Sequence, residues 1–323
     1  MIDRAILEAA AEAISSAESL ALACHVGPDG DALGSMLGLG IAAENAGKKV
    51  VASFGTPFGV AAGFAFLPTA LLVSPQDFPA EPQTMIVFDA ASLDRLGELA
   101  ENASKAGTTI VIDHHATNGG FGDIAVVDGA AAATGELVAL LLRTLGWPLT
   151  PEIATCLLTA IVTDTGRFQY ANTSPSTLEL AAELVAAGAR PPEISRHIYE
   201  EVPFGYLKAA GAALSRAELD KDKGLVTAVI THADLDEAGI DWGDIDNLVD
   251  TVRLAVEADV AVLAKVHADG KVKLSLRSRG ATDVGSLAAE LGGGGHRLAA
   301  GVTFVGDAKD ALDEVRKRIE DFR

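Results

Sequence analysis

The chain has 323 residues, a formal net charge of −20 and 49% hydrophobic residues, enough for about two domains with cores of their own. Lys and Arg are scattered and only 5% of residues are aromatic; this excludes a protein that grips long nucleic acid through a basic stripe or a stacking platform. Cys24 and Cys156, the two cysteines, lie in apolar segments and read as buried free thiols, which excludes a disulfide framework.

The first segment, Met1 to Ser19, carries acids in an amphipathic pattern and reads as a helix, not a signal peptide. Leu20–Cys24 is apolar enough for a buried strand, and Gly27, Pro28 and Gly30 predict a tight loop after it. A helix is expected from Met36 to Ala46 and a second strand from Lys48 to Phe54. The apolar stretch Gly59–Val73 is broken by Pro68 and too short to cross a bilayer. A cytoplasmic protein with no membrane partner is the expectation.

Thr84–Phe88 predicts a strand that ends in Asp89, followed by a helix from Leu93 to Ala103. Thr108–Ile112, β-branched throughout, predicts a strand that ends in Asp113-His114-His115. Ile124–Val127 reads as a strand, and Thr134–Leu145 as a helix with Gly146 as its C-cap. Pro151 opens a helix to about Thr163, with Asp164 next. This alternation predicts an α/β fold whose N-terminal part is a mainly parallel sheet with flanking helices.

Two helical segments, Ser174–Ala187 and Glu193–Glu200, lead towards a domain boundary near 202–206, and a helix is expected over Phe204–Leu219. A smaller α+β domain follows. Its strands are Leu225–Thr231, Ala258–Val266, Lys271–Leu276 and Val302–Val305, with Asp269-Gly270 as a hairpin turn. Its helices are one that Thr282 caps, running to Leu291, and Ala308–Phe322. His197, His232 and His267 lie away from any motif and read as surface groups.

His25, Asp29, Asp31, Asp89, Asp113, His114, His115 and Asp164 all follow strands or end helices. Each alone has an ordinary explanation: Asp29-Gly30-Asp31 a surface turn, Asp31 a helix N-cap, Asp89 a cap, Asp164 a helix end. Together they put five carboxylates and three imidazoles on one sheet edge. Like charges so close repel, and a divalent cation removes that cost. Carboxylate and imidazole donors suit Mn²⁺ or Mg²⁺ rather than a thiolate zinc site. There are more donors than one ion needs, which implies a pair of ions sharing a carboxylate; two metals about 3.5–4 Å apart suit attack of water on phosphorus.

The run Gly292–Gly295 could be a flexible C-cap or a backbone concavity for phosphate. His296 and Arg297 follow it. Arg277 and Ser278 sit at the end of an alternating strand, where a solvated edge is the plain alternative and a guanidinium for phosphate the sharper one.

His25-x-x-Pro28-Asp29-Gly30-Asp31-Ala32-x-Gly34-Ser35, Asp89, Asp113-His114-His115 and Thr163-Asp164 resemble the motifs of the DHH phosphoesterase family. Gly292-Gly293-Gly294-Gly295-His296-Arg297-x-Ala299-Ala300-Gly301 resembles the C-terminal module of its DHHA1 branch. The resemblance covers nearly the whole chain. It implies a catalytic metal-binding domain over 1–190, a linker over 191–205 and a substrate-binding domain over 206–323. It implies His25, Asp29 and Asp89 on one Mn²⁺, and Asp31, Asp89, His114 and Asp164 on the other. His115 would face the scissile phosphate and Asp113 would orient an imidazole. Which of His114 and His115 binds metal stays open. Arg277, Ser278, Gly293, Gly294, Gly295, His296 and Arg297 are the expected substrate contacts.

The architecture is similar to that of stand-alone oligoribonuclease and 3′-phosphoadenosine-5′-phosphate phosphatases. It implies short RNA oligonucleotides or small adenine nucleotides as partners, and is compatible with a homodimer. Stand-alone cyclic-di-AMP phosphodiesterases of the same branch are the alternative, and a non-catalytic nucleotide sensor is the alternative of another class.

Overall fold

The computed structural model describes residues 2–323, which divide into two compact units, the first ending at Glu201 and the second running Val202–Arg323. The elements of the first unit are α1 (Arg4–Ser16), β1 (Ser19–Cys24), α2 (Gly30–Asn45), β2 (Lys49–Phe54), β3 (Thr84–Phe88), α3 (Ala100–Lys105), β4 (Thr108–Asp113), β5 (Ile124–Val127), α4 (Thr134–Leu145), α5 (Pro151–Asp164), α6 (Pro175–Ala186) and α7 (Pro191–Ser195). All strand pairs are parallel, in the order β2-β1-β3-β4-β5. The core on one face is built by α1, α2, α4 and α5; a smaller one lies on the other, around Phe78, Met85, Val87 and Leu96.

Register decides the site. Cys24 pairs with both Phe54 and Phe88, and Phe88 with Ile112. The residues that follow these positions, His25, Asp89 and Asp113, therefore lie at one edge of the sheet, with Asp113 still paired to Val127 as the last residue of β4. The chain reverses direction of winding between β1 and β3, where open α/β sheets hold ligands.

Helix α2 starts six positions before the expected Met36. Asp29 is its N-cap, accepting from the amides of Asp31 and Ala32 at 3.0 Å, so Asp31 lies in the first turn and is not the cap. Gly30 and Gly34 look like loop residues in sequence. They are packing residues: a Cβ on Gly34 would fall 2.3 Å from the Cys156 carbonyl oxygen of α5. The helix expected over Leu93–Ala103 is broken at Gly97, whose φ of 59° leaves a 3₁₀ segment (Leu93–Leu99) ahead of α3. Asp164 closes α5. The segment expected as a helix over Glu193–Glu200 is α7 continued by a π-turn, Arg196–Glu200, and both belong to the first unit.

The second unit contains α8 (Phe204–Ser215), β6 (Glu218–Asp220), β7 (Leu225–Thr231), α9 (His232–Ala238), α10 (Leu248–Val252), β8 (Val260–Val266), β9 (Lys271–Ser278), α11 (Val284–Glu290), β10 (Gly294–His296), β11 (Ala299–Val305) and α12 (Ala308–Arg318). The sheet order is β10-β11-β9-β8-β7-β6, antiparallel except for β7 and β8. Helix α8 stops short of the expected Leu219, which instead pairs with Val226 in β6. Asp283, not Thr282, caps α11; Thr282 is fully buried. The glycine run is not a flexible loop: Gly294–His296 pairs with Ala299–Gly301 as a strand. A Cβ on Gly293 would fall 2.2 Å from the Gly301 carbonyl oxygen, so close strand approach is what demands glycine there. Among the described residues no helix is long and apolar enough to cross a membrane.

Candidate metal centre

The carboxyl edge of the first sheet brings together His25, Asp29, Asp31, Asp89, His114, His115 and Asp164. Three overlapping groups have ligand atoms within 4.8 Å of one another: His25-Asp29-Asp89, Asp31-His114-Asp164 and Asp89-His114-His115. Asp89 is the common member of two. It is a non-glycine residue at φ 53°, a strained conformation that the surrounding fold must enforce. Its backbone N–H donates to Ile112 O at 3.0 Å, and Thr134 Oγ1 donates to Oδ1 at 3.1 Å. Its carboxylate faces His25 Nε2 at 3.5 Å, and His114 Nε2 and His115 Nδ1 at 3.6 Å each.

His25 and His114 are oriented alike. Each commits Nδ1 to a backbone carbonyl, Val26 O at 3.0 Å and Ala131 O at 3.3 Å, and turns Nε2 towards carboxylates. His114 Nε2 lies 3.7 Å from Asp31 and 3.5 Å from Asp164. A backbone-anchored imidazole presenting its other nitrogen is how metal-binding histidines are held. His115 differs: its Nδ1 is 2.6 Å from Asp113 Oδ1, and Asn118 Nδ2 donates to Asp113 Oδ2 at 2.6 Å.

Asp31 is buried, and its carboxylate accepts from the amides of Thr134 (2.7 Å) and Gly135 (3.0 Å) at the start of α4, and from Ser35 Oγ. The positive end of α4 thus faces it. Sequence reasoning placed Ser35 in a motif without giving it a role, and missed Thr134 and Asn118. The i,i+4 spacing of Asp31 and Ser35 was a readable signal; Thr134 and Asn118 carried none.

The electrostatics follow from burial and crowding. Among the described residues, the ion-pair partners of these carboxylates are imidazoles, with no Lys or Arg. Burial and the nearby Asp89 charge push the Asp31 carboxyl well above its usual range. Burial, with Asp29 and Asp89 adding repulsion, raises Asp164 to about 7. Burial disfavours the charged His25 ring, but Asp29 and Asp89 outweigh it and raise its pKa to about 10. The same contest, won by Asp31, Asp164 and Asp89, raises His114 to about 9. Asp29 moves down, because His25 outweighs its desolvation. Asp113 moves down despite burial, because His115 and Asn118 hold its charge. Hard oxygen and imidazole nitrogen donors, crowded without a fixed cation, fit a divalent metal.

The other predicted residues lie in the second unit. Arg277 is opposite Ala299 in register, and Ala299 pairs in turn with His296, so these sit in a row across β9, β11 and β10. Arg277 donates to Leu276 O and lies 3.5 Å from Asp250; Arg297 donates to Gly280 O. Ser278 is 1% exposed and its Oγ accepts from the Gly280 amide, because the strand alternation turns it inward. Of the three outlying histidines, His232 is exposed and His197 and His267 are half-buried, and each ring has an aromatic neighbour. His197 stacks on Phe66, and His232 and His267 stack on Trp242.

Residues 19–161 match the DHH family, N-terminal domain, and residues 221–322 match the DHHA1 domain. The chain is 36% identical to the bifunctional oligoribonuclease and PAP phosphatase NrnA of Thermus thermophilus, over 96% of this chain and 92% of that protein. The chain belongs to the DHH family. The bifunctional oligoribonuclease and PAP phosphatase NrnA of Bacillus subtilis is 29% identical over 90% of this chain and 91% of that one. Among solved structures, an exopolyphosphatase-related protein from Bacteroides fragilis superposes with a TM-score of 0.92 at 26% identity, covering 99% of this chain and 97% of that one. RecJ of Thermus thermophilus, solved with Mn²⁺, is similar in fold at a TM-score of 0.55 and 16% identity, over 98% of this chain and 55% of that one.

Proposed function

We propose that this protein is a metal-dependent phosphoesterase that hydrolyses short oligoribonucleotides and 3′-phosphoadenosine 5′-phosphate. The observation that carries the reading is the convergence of four carboxylates and three imidazoles on Asp89 and its neighbours, in a DHH chain whose full-length relatives bear those activities in their names. His25, Asp29 and Asp89 would hold one divalent ion, and Asp31, Asp89, His114 and Asp164 a second, with Mn²⁺ the preferred metal. When bound, such ions neutralise the phosphate and supply a water nucleophile near neutral pH.

The chain's own residues do the rest. Thr134 and the start of α4 hold Asp89 and Asp31 in place. Asp113, ionised and braced by Asn118, accepts from His115 Nδ1 and fixes that ring's tautomer. In its imidazolium form, with Nδ1 still donating to Asp113, His115 would give its Nε2 proton to the leaving oxygen and be left as the neutral ring. Arg277, His296, Arg297 and the Gly293, Gly294 and Gly295 backbone of the second unit are proposed to contact the remainder of the nucleotide. Residues 206–323 are accordingly proposed as the substrate-binding domain.

The test is a substrate panel with Mn²⁺, Mg²⁺ or chelator: RNA of two to five nucleotides, adenosine 3′,5′-bisphosphate, pApA and cyclic-di-AMP. Turnover of short RNA and the bisphosphate, lost with chelator and best with Mn²⁺, is expected. Tight binding without turnover, or turnover of the cyclic dinucleotide alone, overturns the reading.

A further inference from the structure

The turn that follows Asp164 holds Gly166, Arg167 and Phe168 at φ 54°, 64° and 63°. A helix end needs one left-handed residue, and glycine suffices. Here two side-chain-bearing residues share that conformation, which costs energy and persists only where the fold over-determines it. The fold does so. The Arg167 amide donates to Val162 O at 2.8 Å and the Phe168 amide to Thr165 Oγ1 at 3.0 Å. Phe168 packs on the main core, and a Cβ on Gly166 would fall 2.3 Å from the Tyr170 ring.

The product of this arrangement is the position of Arg167. The residue is exposed, and its guanidinium carbon lies 4.5 Å from the centre of the Tyr199 ring. Tyr199 belongs to the π-turn Arg196–Glu200, and its hydroxyl lies 3.5 Å from Val162 O, the carbonyl that also anchors Arg167. π-turns recur at functional sites. In a chain with 45 acidic residues, Arg167 has no carboxylate within ion-pairing distance among the described residues.

Short separations link this turn to the cluster: Asp164 is three positions from Arg167, a Cβ on Gly63 would fall 3.6 Å from Ile198 Cα, beside Tyr199, and the Phe64 ring lies 3.0 Å from where a Cβ on Gly30, between Asp29 and Asp31, would stand.

We propose that Arg167, laid across Tyr199, is the phosphate-binding residue of a subsite beside the carboxylate–imidazole cluster. It takes a phosphate of the nucleotide other than the one being cleaved. The proposal rests on the phosphoesterase reading above. A guanidinium pairs with phosphate through two parallel hydrogen bonds, and a ring beneath it fixes the plane of that fork in advance. With the chain's net charge repelling anions, such local donors are what can hold a second phosphate.

The experiment compares adenosine 3′,5′-bisphosphate with adenosine 3′-monophosphate, which lacks the second phosphate, in the Mn²⁺-loaded protein. Wild type should prefer the bisphosphate. In Arg167→Gln the ratio of kcat/KM between the two should fall by about tenfold or more, mainly through KM. Arg167→Gly suits the left-handed backbone, so it should melt no lower than wild type and still lose the preference. Tyr199→Phe should retain the preference and Tyr199→Leu should weaken it. A wild type with no preference, an Arg167→Gln variant with an unchanged ratio, or a loss confined to kcat overturns the subsite. A wild type inactive on both nucleotides and on short RNA overturns the phosphoesterase reading itself.

Discussion

Asp89 is the residue on which the cluster closes. It touches three imidazoles and sits in a backbone conformation that asparagine also tolerates. Asp89→Asn should fold, since asparagine keeps the shape of the side chain and tolerates the same left-handed backbone. Turnover should drop at least ~100-fold, because even residues that merely support a metal ligand cost 10–100-fold. A melting curve and kcat on adenosine 3′,5′-bisphosphate check this; near-normal turnover would refute the central role.

The same crowding sets a pH dependence. In the metal-free protein His25 and His114, with pKa values raised to about 10 and about 9, favour folding in their protonated form. Their contribution is complete below the unfolded value near 6.5 and is lost as pH rises through 9 to 10. Asp164, raised to about 7, binds a proton in the fold that the unfolded chain has released above pH ~4, so it too loses stability with rising pH. Metal-free protein should therefore melt lower at pH 8.5 than at pH 6. Metal binding should release protons, measurable by calorimetry in buffers of different ionisation heat. A melting temperature that rises over this interval in chelator would contradict the account.

Among elements, the α2–α5 contact matters most for the site, because α2 carries Asp31 and α5 ends in Asp164. Gly34 and Gly38 let the two helices approach until Gly34 nearly touches the Cys156 carbonyl. Gly34→Ala pushes a methyl into backbone that cannot yield, and overpacking of this kind costs about 1–3 kcal/mol. The midpoint of urea unfolding should fall accordingly. An unchanged midpoint would mean that the helices separate freely. The same pair explains why the helix start was misread: glycines that permit close packing and glycines that break helices look alike in sequence.

On the scale of the molecule, charge decides what reaches the site. A net charge of −20 repels polyanions, and the repulsion grows with their length. The kcat/KM for RNA should fall at least about tenfold between a five-nucleotide and a twenty-four-nucleotide substrate, and added salt should narrow the gap by screening. Equal efficiency on both lengths would show that a cationic path exists which the sequence does not display. Each unit has apolar residues on both faces of its own sheet, so each has the core expected of a separate domain.

The sequence by itself determined several strands, including the one that Asp89 follows. Thr84–Phe88, Ile124–Val127 and Leu225–Thr231 were readable to the residue because uninterrupted apolar or β-branched runs have one good conformation. The helix Thr134–Leu145 was readable for its pattern and its glycine cap at φ 67°. Short polar helices such as α9, held by their local caps Thr231 and Gly239, gave no periodic signal. Only the tertiary structure decided which side chains meet. Parallel register carries His25 and Asp89 to one edge, the start of α4 closes on Asp31 from about a hundred positions away, and a strained turn lays Arg167 on Tyr199. Local preferences act over a few neighbouring residues, whereas these contacts depend on how distant strands align and helices pack, which is settled when the whole core is buried.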